Sequence, residues 1–259
     1  MSKFVNRAAS LLLLVVAAPA AAQTYAGATA GSQAGFGSAV AVAEDVVFVG
    51  EGANRMRPGM VYIFDAMAGT GRFGEVGRLT APEAEMGDGF GRSLAVSGGV
   101  LLVGQARGDA PESVHVFNRS GDSWRHVGVL PSGAPEDADF GMELATDGTL
   151  ALVGAPGVDS MTGRVYAFTR SGRGWQAAGE IAASDAQQGD GFGAALALDG
   201  DRLLVGAPGR GENAGVAYVF RRAADGTWTE EATLSGTGLE SRSSFGADVV
   251  LAGDLALVS

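Results

Sequence analysis

Residues 189–209 read GDGFGAALALDGDRLLVGAPG, a Phe-Gly pair, two short apolar runs split by Asp199-Gly200-Asp201, and a closing Gly206-Ala207-Pro208. The pattern returns along the chain. Phe-Gly pairs stand at Phe36, Phe90, Phe140, Phe192 and Phe245, with gaps of 54, 50, 52 and 53 residues. Fourteen residues after each Phe, the second apolar run ends on Gly50, Gly104, Gly154 and Gly206, with Gly154-Ala155-Pro156 a second full GAP tripeptide. In the fifth copy the same position is Ser259, where the given sequence stops. A fixed period of this length marks a repeat architecture in which each copy is one supersecondary unit.

Two more apolar segments complete each of the first four copies. One is aromatic-rich and closes on a Phe 27 or 28 residues after the first: VYIF (61–64), VHVF (114–117), VYAF (165–168) and AYVF (217–220). The other runs from Phe73, Trp124, Trp175 or Trp228 to Leu79, Leu130, Ile181 or Leu234, six residues on. Clusters such as NRSGDS (118–123) and PSGAPEDAD (131–139) separate them and read as turns and loops. Four strands per repeat follow.

In the first strand Val40, Leu94, Leu144, Leu196 and Val249 share one face, and Ala41, Ala95, Ala145, Ala197 and Val250 the other. Such an alternation of large and small suits a strand near a crowded axis. The second strand is apolar almost throughout (VVFV, VLLV, LALV, RLLV, LALV), which indicates burial on both faces. Third and fourth strands alternate apolar with polar residues, as outer, partly wet strands do. A single sheet of this size cannot stand alone. Each buried Val, Leu or Phe contributes roughly 1.5–3 kcal/mol, while ordering the backbone costs about 1–2 kcal/mol per residue. Stability must therefore come from stacking neighbouring sheets, with each Phe ring wedged between two of them and the following glycine allowing close approach or a positive φ.

Two motifs fourteen residues apart in a repeat of this period resemble the FG-GAP repeat, found in the β-propeller of integrin α-chains and in many exported bacterial proteins. The resemblance covers about residues 35–259. It implies an all-β fold, a β-propeller of four-stranded antiparallel blades, with four complete blades and a truncated fifth. For function it implies little, because propellers serve binding, adhesion and catalysis alike.

In that topology the loops entering each Phe-Gly and the loops after each GAP position open on one face. The first set is acidic, with Glu83, Glu85 and Asp88, then Glu136, Asp137 and Asp139, then Asp185 and Asp190, then Glu240, against Arg242 alone. The second set is mixed, with Glu51, Asp109, Glu112, Asp159 and Glu212 against Arg55, Arg57, Arg107 and Arg210. Glu83, Glu85, Asp88, Glu136, Asp137, Asp139, Asp185 and Asp190 are the candidate ligand-binding residues. A plainer role is also open to them: acidic loops keep an exported protein soluble, and Asp88 and Asp190, each in a GDGFG string, organise turns through Asx hydrogen bonds.

Many FG-GAP repeats hold calcium in a DxDxDG-type loop between the first two strands, so the resemblance raises that ion as a cofactor. Here the connection has shrunk to AED (43–45), SGG (97–99), TDGT (146–149), LDGD (198–201) and AGD (252–254). Asp147-Gly148 and Asp199-Gly200 are typical of tight hairpins, and too few oxygens remain for the six to eight ligands of calcium. No cofactor is expected there, and calcium stays open only at the acidic loops of the ligand face, whose carboxylates suit it.

No catalytic constellation emerges either. His115 stands where other repeats have Tyr62, Tyr166 and Tyr218 and reads as a packing variant; His126 beside Trp124 has no evident partner. The chain has no cysteine, which excludes thiol catalysis and cysteine-bound zinc. GDGFG and GAPG resemble phosphate loops only superficially, since neither opens a helix. Carboxylate-pair hydrolysis stays open.

Residues 1–22 form a separate unit: Lys3 and Arg7, an apolar stretch from Ala8 to Ala18, then Pro19 and Ala20-Ala21-Ala22. This reads as a secretory signal peptide cleaved before Gln23. The stretch is shorter than the ~20 apolar residues of a spanning helix, and no transmembrane helix is expected in residues 23–259. Cleavage removes two basic residues and no acidic ones, taking the net charge from −11 to −13. Such a charge opposes nucleic acid and anionic membranes. The forty-two glycines recur at turns with the repeat, which disfavours disorder.

The fifth copy ends after its second strand, so the sequence predicts a partial chain or a module continuing into further repeats, an organisation similar to the choice-of-anchor family. The expected function is an exported or cell-surface binding, adhesion or scaffold module, non-enzymatic, with a protein or carbohydrate ligand on its loop face. An extracellular hydrolase or lyase using loop carboxylates, and a purely structural spacer, are the alternatives.

Overall fold

The computed structural model describes residues 35–259 except 68, 106–111, 173, 239 and 240. The expected signal peptide, and Arg107, Asp109 and Glu240, lie outside the described residues. Each of the first four repeats folds into one sheet of four antiparallel strands in sequence order. The first sheet contains β1 (Ala39–Ala43), β2 (Val46–Gly50), β3 (Val61–Met67) and β4 (Arg72–Leu79). The second contains β5 (Leu94–Ser97), β6 (Val100–Gln105), β7 (Ser113–Ser120) and β8 (Ser123–Val129). The third contains β9 (Leu144–Thr146), β10 (Leu150–Ala155), β11 (Arg164–Ser171) and β12 (Gly174–Ile181), and the fourth β13 (Ala195–Asp199), β14 (Arg202–Ala207), β15 (Val216–Arg222) and β16 (Trp228–Leu234). The fifth repeat supplies the hairpin β17 (Val249–Ala252) and β18 (Leu255–Val258). First strands follow one another in space, β1 beside β5, β5 beside β9, β9 beside β13 and β13 beside β17. This is the propeller arrangement, with each sheet a blade.

The fourteen-residue spacing has a direct cause. The first strand, a tight turn and the second strand bring the GAP glycine back opposite the Phe-Gly glycine. There the N–H of Gly91 donates to the Gly104 carbonyl at 3.0 Å, Gly141 to Gly154 at 3.0 Å, and Gly193 to Gly206 at 3.0 Å. Gly37 donates to Gly50, and Gly246 to the Ser259 carbonyl, in the same way. All five Phe-Gly glycines have φ between 84° and 94°, a region that L side chains rarely adopt. The GAP glycines are needed for another reason: a Cβ on Gly50, Gly104, Gly154 or Gly206 would overlap the carbonyl oxygen of the next blade's Gly91, Gly141, Gly193 or Gly246.

Between blades the side chains interdigitate with period 2. In β10, Leu150 and Leu152 face the fourth blade while Ala151, Val153 and Ala155 face the second. The alternation read in the first strands is a fit between neighbours. Leu94 packs in one cluster with Ala41, Leu144 with Ala95, and Leu196 with Ala145, so each large residue meets the small one of the preceding blade. Phe90, Phe140 and Phe192 are buried in these same interfaces. Each meets its own third strand edge-on, Phe140 at 5.7 Å from Tyr166 and 6.2 Å from Phe168, and Phe192 at 5.6 Å from Tyr218 and 5.8 Å from Phe220.

Two regular features were not read from the sequence. All four complete blades carry a register shift between third and fourth strands, after Ile63, Val116, Ala167 and Val219, which leaves Val76, Val127, Ala178 and Glu231 unpaired on the outer strand. Such bulges add twist at an edge and disfavour edge-to-edge pairing. After the two full GAP motifs, Asp159, Ser160 and Met161, and then Gly211, Glu212 and Asn213, take three successive left-handed conformations with φ between 52° and 65°. The carbonyls of Ser160, Met161 and Thr162 accept the N–H groups of Gly189, Gly191 and Phe192 from the next blade, and Glu212, Asn213 and Ala214 accept those of Arg242, Ser244 and Phe245. Inter-blade hydrogen bonds offset the strain of such a turn.

Phe192→Ala is expected to cost ~3–5 kcal/mol in urea unfolding. Gly154→Ala, which drives a methyl into the Gly193 carbonyl, should cost at least about 1–3 kcal/mol, whereas Gly133→Ala, whose Cβ meets nothing within 4 Å, should leave the midpoint unchanged.

Candidate functional site

Strand order places the loops from fourth to first strand, and from second to third, on one face. The hairpin turns lie on the other. The acidic loop residues are thus brought together along one rim, and they divide into two groups.

Asp88 and Asp190 are buried. Asp88 accepts the N–H of Gly59 at 2.8 Å and of Phe90 at 3.1 Å from one oxygen, and that of Glu85 at 3.3 Å from the other. It ties the first blade's loop to the second blade's Phe-Gly turn. Glu112 does the same one blade on, accepting the N–H groups of Asp139 at 2.9 Å and Phe140 at 2.8 Å. Asp190 accepts the Gln187 N–H at 2.8 Å and an Arg210 guanidinium N–H at 2.7 Å. Arg210 also reaches Asp185, whose other carboxylate oxygen accepts the Tyr218 hydroxyl at 2.8 Å. Burial first, then this bond to Asp185, raises the Tyr218 pKa far above the usual phenol value. A matching network in the first blade surrounds Glu51, which is fully buried and held by Arg57 at 2.6 and 2.8 Å, Tyr62 at 2.7 Å and Asn54 at 3.1 Å. The sequence reading had Glu51 only as one of the mixed charges of its loop; its signal was the pairing of an acid directly after the GAP-position glycine with Tyr62.

The second group faces solvent. Glu83, Glu85, Glu136, Asp137 and Asp139 are exposed, and their carboxylates make no ion pair among the described residues. Asp137 and Asp139 stand at φ 62° and 55°, conformations that acidic and amide side chains tolerate better than most. Asp185 is shared between the groups, about half exposed and bonded to Arg210.

The two histidines meet across β7 and β8. His115 Nε2 lies 2.5 Å from Gln105 Oε1, so it carries the proton, and Nδ1 accepts from His126 Nε2 at 3.1 Å. Burial, then the neighbouring His126, lowers the His115 pKa to about 4. His126 therefore has a partner that sequence spacing alone did not show, eleven residues away across a hairpin. At the inner rim, burial pushes the Glu143 carboxyl up to about 7, the backbone bond at Leu144 pulls it down, and Asp248 of the fifth repeat adds to the rise. Glu143 occupies the position of Ala39, Ser93 and Ala195 in the other blades.

Among the described residues no helix is long and apolar enough to cross a membrane. The FG-GAP repeat family matches residues 73–117 and 175–220, each span running from the fourth strand of one blade through the third strand of the next. No curated protein matches the sequence. Of the solved structures, that of YjhT aligns with a TM-score of 0.51 and 17% identity over 86% of this chain and 72% of that one. A Bacteroides fragilis protein provisionally described as a 6-phosphogluconolactonase aligns with a TM-score of 0.48 and 15% identity over 86% of this chain and 76% of that one. At 17% identity the likeness to YjhT is one of fold.

Asp88→Ala should destabilise by about 1–3 kcal/mol, because it strands the buried N–H groups of Gly59 and Phe90, and Asp88→Asn by less, since an acceptor remains; thermal unfolding checks both. His115 has a folded pKa below its unfolded one, so its contribution to stability is complete above about 6.5 and is lost as pH falls toward about 4. Glu143, with a raised pKa, acts in the opposite sense, losing stability as pH rises from its ordinary 4.5 through about 7. The midpoint of the wild type minus that of His115→Tyr follows the histidine, and it should fall steadily from pH 7 to pH 4, whichever protein is the more stable at pH 7.

Proposed function

We propose that this chain, a protein of FG-GAP repeats, is an exported, non-enzymatic binding module that captures a protein or carbohydrate through the acidic rim of its propeller. The observation that carries this reading is the set of exposed carboxylates at Glu83, Glu85, Glu136, Asp137 and Asp139, which make no ion pair among the described residues. They project from loops whose backbones are pinned by Asp88 and Glu112, so a partner meets side chains that are already positioned. Buried Asp88 and Asp190 belong to the frame that holds the rim. Their charge-free variants report on folding rather than on capture.

Exposed acids of one sign favour partners that present ammonium, guanidinium or hydroxyl donors, and they speed encounter with basic surfaces. Export rests on the leader read in residues 1–22 and on the company FG-GAP repeats ordinarily keep.

The test uses Glu83→Lys, Glu85→Lys, Glu136→Lys and Asp137→Lys combined, probed on arrays of glycans and basic peptides. Ligands held by the wild type should bind at least tenfold more weakly, with the melting midpoint unchanged. Equal capture by both proteins overturns the reading. Turnover of an arrayed glycan by the wild type favours a hydrolase or lyase instead.

A further inference from the structure

On the face opposite the acidic rim, between the first and second blades, lies a cleft of about 340 Å³ lined by Val42, Val46, Val96, Trp124, Arg119 and Glu44. We propose that it is a second binding site, one that takes a single neutral pyranose unit. Its volume falls at the lower end of the roughly 300–1,000 Å³ of small-ligand pockets.

Three observations converge here. The first is backbone strain. Each blade joins its first two strands by a two-residue turn whose leading residue has positive φ, and in four repeats that residue is glycine: Gly98, Gly148, Gly200 and Gly253. In the first blade it is Glu44, at φ 53°. A side chain placed where its four counterparts have none points to a use for that side chain. The second is where the carboxylate goes: it crosses to the next blade and accepts from Arg119 Nη1 at 3.0 Å, although it remains 78% exposed and Arg119 39%. An ion pair this wet adds little stability. The third is the wall. Trp124 is anchored edge-on against Phe48 with centroids 5.0 Å apart, is only partly buried, and lines the cleft with three valines.

At the next interface the turns meet differently. There the corresponding turns press together, so that a Cβ on Gly98 would lie 3.2 Å from the Gly148 Cα.

A pyranose has the matching chemistry: a C–H face for the indole and valines, and ring hydroxyls that donate to Glu44 and accept from Arg119. A wholly apolar ligand would bury the charged pair without partners. Because Glu44 already neutralises Arg119, neither an anionic nor a cationic sugar gains a net attraction.

The experiment is a ¹H–¹⁵N NMR titration of the folded chain with methyl glycosides of glucose, galactose, mannose and N-acetylglucosamine, alongside glucuronate and glucosamine. A neutral glycoside should produce saturable shifts at Glu44, Gly98, Gly99 and the Trp124 indole N–H. Glu44→Gly should weaken binding at least tenfold and, because glycine relieves the turn, raise the melting midpoint; Arg119→Met should weaken it similarly with the fold intact. The proposal fails if no neutral glycoside shifts these resonances, if shifts map elsewhere, if Glu44→Gly binds as the wild type does, or if charged sugars bind as tightly as neutral ones. The rim variants should titrate here as the wild type does, which keeps the two sites distinguishable.

Discussion

The contact between a GAP glycine and the carbonyl of the next Phe-Gly glycine sets the spacing on which everything else in this propeller depends. It leaves no room for a single methyl, so the blades approach as closely as backbones allow. Close approach then permits leucine to meet alanine across each interface, and Phe90, Phe140 and Phe192 to be sealed from water. Packing at interior density makes small volume changes costly, which is why the glycine at 50, 104, 154 and 206 recurs while the residues after it drift.

Much of the fold could be read from the chain because its strongest constraints are periodic. The fourteen-residue separation of the two glycines follows from a hairpin, and hairpins have few lengths. The buried second strand and half-wet outer strands were equally plain. The bulges were not, because Gly77, Gly128 and Gly179 mark them in three blades and the fourth has Ala232 instead. The hairpin connections lie inside the spans read for them, and the structure adds the exact turn residues. Asp147 sits outside its turn, where one carboxylate oxygen accepts the N–H groups of Thr149 and Leu150, and the two turn residues are Gly148 and Thr149.

The acidic rim was legible as a surface, and its hydrogen-bond partners were not. Sequence placed Asp88, Asp137, Asp139 and Asp190 on one rim, and the buried pair, Asp88 and Asp190, are the two that stand two residues before a Phe in GDGFG, the string read as turn-forming. What their position does not give is the partner: a Gly59 N–H from the preceding blade's loop for Asp88, and an Arg210 guanidinium from the fourth blade's own loop for Asp190, twenty to thirty residues distant. The histidine pair hid for a related reason, since cross-strand neighbours in a bulged hairpin do not follow simple counting.

The left-handed turns at Asp159–Met161 and Gly211–Asn213 carry a consequence for how such a chain diversifies. Each turn is complete only when the following blade's N–H groups fill it, so a whole blade is a poor unit of exchange between relatives. Residues 175–220 carry the donors Gly189, Gly191 and Phe192 but not the carbonyls of Ser160, Met161 and Thr162 that accept from them, so a chimera keeps neighbours in register only when the transplanted segment runs from one left-handed turn through the Phe-Gly turn that fills it.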